Sequence, residues 1–461
     1  MAKYKAYPEY KDSGVEWLNS TPAHWSKAPI KYLALAASSV FLDGDWIESK
    51  DLSDDGVRYI TTGNIGEGFY KEQSSGFITE KTFNKLDCTE ILEGDILISR
   101  LNKPIGRACL ISELNFKTVT SVDNVILRTD ESYNKKYLVY LFSSDYYFQH
   151  TGNLARGTTM QRISRGHLGN IRIPVPLLSE QVIITAFLDH ETTKIDNLVE
   201  KQQQLIELLK EKRQALISHA VTKGLNPDVP MKDSGVEWLG EVPGHWSVAK
   251  LKYISTLKNQ ILPDSTSKHF LIQYIDIGNI SAENGISKPE EMFFSDAPSR
   301  ARRIVKDGDI IISTVRTYLE AIAIIENPPY NLVVSTGFAV IRPKKLSKKF
   351  CLYSFKDRNF IQKIISMSVG ISYPAINPSD LVTIKIPFPG YLEQDEIGDF
   401  LHRETAKIDT LIQKQLQQID LLKERRTALI SAAVTGKIDL RDWTPPASSP
   451  EESPIAEEAT A

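Results

Sequence analysis

Apolar positions within residues 180–222 recur at alternating spacings of three and four. Leu188, Ile195, Leu198, Leu205, Leu209 and Leu216 form one stripe, with Glu191, Gln202 and Lys212 in its polar gaps. A stripe of this period is the seam of a coiled coil. The segment has a second copy at 393–435, which keeps F-L-x-x-E-T-x-K-I-D and then L-L-K-E-[KR]-R-x-A-L-I-S-x-A-V-T. Neither copy contains proline, and their only glycine is Gly398. At ~1.5 Å per residue each predicts a rod of roughly 60 Å. Two rods from one chain most simply pair with each other. An amphipathic helix lying on a globular core accounts for either segment singly, but not for a polar-interrupted heptad copied in full.

Ahead of each rod the period shortens. DILISR, ACLIS, NVILR, IIIS, AIAII and FAVIR read as short strands, followed by the aromatic-rich helical pieces KKYLVYLFSSDYYFQH and KKFCLYSFKDRNFIQKII. These parts are also duplicated. KDSGVEWLNSTPAHWS at 11–26 returns as KDSGVEWLGEVPGHWS at 232–247, and YITTGNIGEG from Tyr59 echoes YIDIGNISAENG from Tyr274. EGDILIS from Glu93 echoes DGDIIIS from Asp307, and GTTMQRISRGHLGNIRIPVP from Gly157 matches GISYPAINPSDLVTIKIPFP from Gly370. The chain is therefore two tandem units and not a short-period solenoid. The expected fold class is α/β (α+β), with a first globular domain at 1–178, its long helix at 179–222 and a linker at 223–231. A second domain at 232–391, its helix at 392–436 and an acidic, disordered tail at 437–461 complete the order. If the rods pair antiparallel, the two domains are related by an approximate twofold axis, the local symmetry of duplex DNA.

Composition changes this picture little. A length of 461 residues exceeds one ordinary core, and 41% hydrophobic with 25% charged residues describes a soluble globular protein. The opening MAKYKAYPEYKDSG has no apolar signal region and no later run is long enough to cross a bilayer, so a cytoplasmic protein is expected. Cys88, Cys109 and Cys351 lie far apart and support neither a disulfide framework nor a zinc site. A net charge of −3 argues against a nucleic-acid partner until the glutamates of the final EESPIAEEATA are set aside. What matters is where Lys and Arg gather.

Tandem units that begin D-S-G-V-E-W-L, carry G-D-I-[IL]-[IL]-S, continue through G-x-[ST]-x-x-x-I-x-x-x-x-L-x-x-I-x-I-P-x-P to E-Q, and end in long helices resemble the specificity subunit of type I restriction-modification enzymes. The resemblance spans about residues 8 to 440. It implies a non-catalytic subunit whose two target-recognition domains each read one half of a split, asymmetric site in double-stranded DNA. It also implies paired helices that set the gap between the halves and dock two methyltransferase subunits, with restriction/translocase subunits in the larger assembly. No cofactor is expected on this chain; S-adenosylmethionine, ATP and Mg are implied for the partners.

Base reading needs Arg, Lys, Asn, Gln, Ser or Thr on loops that differ between the two units. In the first unit Arg100, Asn102, Lys103 and Arg107 follow the DILIS strand, and Arg156, Thr158, Thr159, Gln161, Arg162 and Arg165 flank the repeated glycine. In the second, Arg316, Thr317, Tyr318, Ser372 and Tyr373 stand in those places, with Arg302 and Arg303 as phosphate binders. A lone surface arginine is ordinarily just a solvated charge. On the rods, Val199, Ile206, Leu208, Ile412, Ile419 and Leu421 widen the apolar stripe beyond one seam, which suggests a second protein partner.

Three sharper motifs have plainer readings. Asn327-Pro328-Pro329-Tyr330 matches the base-holding signature of adenine methyltransferases, giving a self-contained methyltransferase as one rival function. No glycine-rich turn for S-adenosylmethionine precedes it, and Asn-Pro-Pro is a good turn in its own right. Asp95 and Asp309 invite a nuclease reading but read better as turn residues, and His24 and His245 as parts of a packed corner. A coiled-coil scaffold with protein-binding ends is the second rival.

Overall fold

The computed structural model describes residues 4–73, 76–281 and 285–446. Of the segment 437–461 expected to be a disordered tail, residues from 447 onward lie outside the described residues, whereas Ile438 and Leu440 are buried in the core of the first unit. The chain divides into two compact units. One comprises residues up to Glu200 together with those from Ile419, and the other runs from Lys201 to Gln418. The long helices, Leu178–Lys223 and Tyr391–Val434, therefore each contribute to both units.

The strands behave as their composition demands. In the first unit an antiparallel sheet runs in the order Val40–Asp43, Asn124–Arg128, Ile96–Ser99, Ala108–Leu110. Every side chain of Ile96–Ser99 is buried because both faces are covered. Ile96 and Ile98 point into a core with Trp25, Tyr137, Phe187, Leu188 and Ile430, while Leu97 points the other way against Ile60, Ile65 and Ile91. That second face meets another four-stranded sheet, in which Thr118–Thr120 pairs parallel with Val57–Ile60. The second unit repeats this plan. Ile310 and Ile312 share a core with Trp246, Phe350, Ile217 and Leu401, and Ile311 faces Ile275 and Val334. Its antiparallel sheet is ordered Ser255–Lys258, Phe338–Pro343, Ile310–Ser313, Ile322–Ile324, and Leu271–Ile275 pairs parallel with Leu332–Ser335 in the other. With one parallel pair per unit among antiparallel ladders, the class is α+β.

Two repeated features brace each unit, one within its sheet and one at the start of its long helix. Asp95, wholly buried, accepts from Arg128 Nε at 2.7 Å, from Arg128 Nη2 at 2.7 Å and from the Leu92 N–H at 2.8 Å. Asp309 does the same with Arg342 at 2.6 and 2.7 Å and the Lys306 N–H at 2.8 Å. Both aspartates of the G-D-I motif are thus structural. At the start of each long helix the E-Q dipeptide is a clasp. Glu180 takes His24 Nε2 at 2.9 Å and the Tyr7 hydroxyl, while Glu393 takes His245 Nε2 at 2.8 Å and Trp246 Nε1 at 3.0 Å. Gln181 accepts the Asn134 N–H at 2.9 Å, and Gln394 accepts that of Ser347 at 2.8 Å.

The helices run antiparallel within each unit. In the first, Asp196 meets Arg426 at 2.9 Å while the earlier Phe187 meets the later Trp443, ring centroids 5.5 Å apart. In the second, Arg213 meets Asp409 at 2.8 Å, and Ile217 and Ala220 share their core with the earlier Leu401 and Ile397. The seam differs in phase from the leucine stripe. It follows Leu188, Thr192, Ile195, Val199, Gln202, Ile206, Leu209, Arg213 and Ile217, whereas Leu198 and Leu205 are 46% and 40% exposed. Ile206, Ile412 and Ile419, expected to face a partner, are buried, and Val199 is half-buried. Both stripes keep the 3.5-residue spacing and share Leu188, Ile195, Gln202 and Leu209; burial selects the one that passes through polar Thr192 and Arg213. Of the six residues assigned to a partner surface, Leu208 and Leu421 remain exposed.

Candidate nucleic-acid interface

Three loops converge in each unit. The first is a short 3₁₀ turn, Thr62–Asn64 or Ile277–Asn279, held by its own caps: Asn64 Oδ1 accepts the Thr61 N–H at 3.0 Å and Asn279 Oδ1 that of Asp276 at 2.8 Å. The second leaves the buried strand at Arg100 or Thr314. The third is a tight hairpin, closed by paired backbone bonds between Arg156 and Arg162 at 2.9 and 2.8 Å, and between Val369 and Ala375 at 2.9 and 3.0 Å.

The hairpin requires its glycine. Gly157 and Gly370 have φ of 109° and 113°, and a Cβ on Gly157 would stand 2.4 Å from the Met160 carbonyl oxygen. Second and third loops are joined identically in the two units. The Asn102 N–H donates to the Gln161 carbonyl at 3.1 Å and the Arg316 N–H to that of Pro374 at 2.8 Å, each donor residue being left-handed, with φ of 61° and 51°.

Side-chain partners separate the candidates. Arg100 is 5% exposed, pairs with Asp43 at 3.1 Å and donates to the carbonyls of Val122 and Ile163. Burial pushes its guanidinium pKa down. Arg107 donates to five backbone carbonyls, of Thr62 and Ile65 at 2.8 Å, Asn102 at 2.9 Å, Leu101 at 3.1 Å and Pro104 at 3.4 Å, tying the first loop to the second. Both guanidinium groups are thus engaged within the unit as internal struts. Arg162 pairs with Asp123 at 2.9 Å and Arg165 lies 3.7 Å from Asp43, both half-exposed. Asn102, Lys103, Arg156, Thr158 and Thr159 are exposed, and Gln161 is half-buried.

In the second unit Thr317 is buried, its hydroxyl 3.0 Å from that of Ser368, so it too is structural. Arg302 pairs with Asp264 at 2.6 Å beside the Phe294 ring, and half-buried Arg303 reaches Asn259 at 3.2 Å. Arg316, Tyr318, Ser372 and Tyr373 are exposed, and the Arg316 guanidinium lies over the Tyr373 ring at 4.9 Å. Sequence reasoning passed over two features here. Arg300 lines a cleft of about 710 Å³ with Arg316, Tyr373 and Asp276. The hairpin tip is apolar, with Ile371 fully exposed and Val369 nearly so. The acidic partners Asp43 and Asp123 lie far from their arginines in sequence, so no local signal marks Arg100 as buried.

The Asn327–Tyr330 motif forms a surface turn. The Asn327 N–H donates to Asp307 at 2.9 Å, and Tyr330 is 91% exposed, its ring centroid 6.3 Å from that of Phe270. This is no cradle for a base.

Residues 39–208 and 243–421 match the type I restriction modification DNA specificity domain. The MjaVIII type I restriction enzyme specificity subunit of Methanocaldococcus jannaschii is 25% identical over 298 residues, covering 62% of this chain and 67% of that protein. In fold, the chain is similar to one from a structure of type I R-M system complex assembly, with TM-score 0.67, 17% identity and 91% and 99% of the two chains covered. It is also similar to the HsdS subunit from Thermoanaerobacter tengcongensis, with TM-score 0.52, 18% identity and coverages of 91% and 98%. Two matched copies spanning most of the sequence decide the assignment: this chain belongs to the type I restriction-modification DNA specificity family.

Proposed function

We propose that the chain is the DNA-recognition subunit of a type I restriction-modification complex, each unit reading one half of a split, asymmetric site. The observation that carries this is the pairing of one duplicated scaffold with divergent loop chemistry. Backbone links at Asn102 and Arg316 repeat, while the exposed side chains they present differ: Lys103, Arg156, Thr158 and Thr159 against Arg316, Tyr318, Ser372 and Tyr373. Equal scaffolds with unequal readers suit a site whose halves differ.

Exposed Leu198 and Leu208 recur at the aligned positions Leu411 and Leu421. Repeated apolar positions suit a partner present in two copies, here the methyltransferase subunits, with the long helices setting the gap between half-sites. The restriction/translocase subunits join the larger assembly. The chain itself does no chemistry in this reading; S-adenosylmethionine, ATP and Mg²⁺ are bound by its partners. It acts in the cytoplasm, and among the described residues no helix is long and apolar enough to cross a membrane.

The test is selection of random duplexes by the purified chain with its cognate methyltransferase, at fixed salt. Enrichment of one motif with two defined halves and an undefined gap of constant length is expected. Retention of all sequences alike would refute the reading.

A further inference from the structure

We infer that Arg316 reads a guanine in the half-site of the second unit, with the Tyr373 ring holding its guanidinium for that contact. This rests on the DNA-recognition reading above.

The first support is the state of the guanidinium groups at the convergent loops. Arg100, Arg107 and Arg162 are engaged by carboxylates or backbone carbonyls, and Arg302 and Arg303 by Asp264 and Asn259. Arg316 differs. Among the described residues, its guanidinium has no carboxylate or carbonyl partner and instead lies over the Tyr373 ring at 4.9 Å. A guanidinium over an aromatic face is restrained without using its N–H donors, which stay available in a fixed fork.

Backbone strain points the same way. At φ 51° Arg316 occupies the left-handed region, where its aligned counterpart is Asn102 at φ 61°. Asparagine tolerates that conformation and arginine has no such excuse. Glu320, at the far end of the same 3₁₀ turn, is left-handed as well, with φ 52°. Strain kept at an exposed side chain, on a loop fixed by the Pro374 carbonyl, marks a position selected for what it presents.

The third support is the cleft. Arg300 and Arg316 share its wall with Asp276, whose carboxylate is engaged in capping the Ile277 N–H at 2.7 Å. The free chemistry of the cleft is thus donor-rich and positive. Among base edges, guanine alone offers two adjacent acceptors, N7 and O6, in the major groove; adenine and cytosine place a donor there and thymine has a single carbonyl. In the first unit Asn102 and Met160 occupy the places of Arg316 and Tyr373. The contact belongs to one half-site only.

Two variants preserve the left-handed turn while removing the fork: Arg316→Gly and Arg316→Asn. Each is expressed with its cognate methyltransferase, and the methylated sites of the host are sequenced. One guanine in the half-site assigned to residues 232–391 should become dispensable. The preference for it should fall by ~5- to ~150-fold while the other half stays unchanged. In binding, 7-deazaguanine at that position should weaken the unaltered protein and leave both variants indifferent, whereas inosine, which keeps N7 and O6, should be accepted. A split motif that retains every guanine in both variants, or changes in its other half, overturns the inference alone. No split motif from the unaltered protein overturns the recognition reading and this inference with it.

Discussion

Asp196 meets Arg426 at 2.9 Å, and the aligned copies of these residues, Asp409 and Arg213, meet at 2.8 Å with the two helices exchanged. One duplicated helix sequence thus supplies both halves of two ion pairs, and an alteration enters each in a different role. Arg426 and Asp196 are 34% and 55% exposed, so a double-mutant cycle should give a coupling below about 1 kcal/mol. Arg213 is 15% exposed, and Arg213→Ala should cost about 1–3 kcal/mol. Urea denaturation of the four variants checks the ranking; equal effects would contradict it.

Asp309 is a sensitive position outside the helices. It is wholly buried and neutralised by Arg342. Asp309→Ala should destabilise the second unit by about 1–3 kcal/mol by leaving the partly exposed Arg342 guanidinium and the Lys306 N–H without their acceptor. Asp95→Ala should do the same to the first unit through Arg128. Hydrogen exchange resolved by unit is the measurement, and each loss should stay in its own unit.

Arg107 holds two loops together through five carbonyls. Arg107→Ala should raise amide exchange in residues 61–66 and 100–107 together. Its effect on DNA binding should be spread over the first half-site and not focused on one base pair. A focused change would restore Arg107 as a reader.

These cases show what the sequence makes legible. The duplication, the buried strands and the helices follow from apolar period and copied motifs, because burial of DILIS and IIIS is written in adjacent residues. The seam was harder: Leu198 and Leu205 are more hydrophobic than Thr192 and Arg213, yet the latter carry the heptad. Arg100 and Arg107 read as surface charges because their partners, Asp43, Val122, Thr62 and Ile65, become neighbours only in the folded unit. Exposed Asn102, Arg156 and Arg316 stand on loops chosen from sequence difference alone, which selects the loop and not the side chain.

Asp45 supplies a pH dependence. Burial lifts its carboxyl to about 6, against hydrogen bonds from Thr89 and Cys88 that lower it. A raised acid holds its proton more tightly folded than unfolded, so stability is greatest below the unfolded value near 4 and falls as pH rises through about 6. Asp45→Asn should flatten that fall. Urea midpoints at several pH values across this window, compared between the two proteins, make the check; parallel curves would contradict it.

The central claim is tested most directly by exchanging residues 8–178 for the matching segment of another family member and sequencing methylated adenines in host DNA. The account predicts methylation at a split motif that vanishes when the gene is deleted. In the exchanged protein one half of that motif changes while the other half is kept. Methylation that survives deletion, or an exchange that alters both halves at once, would contradict it.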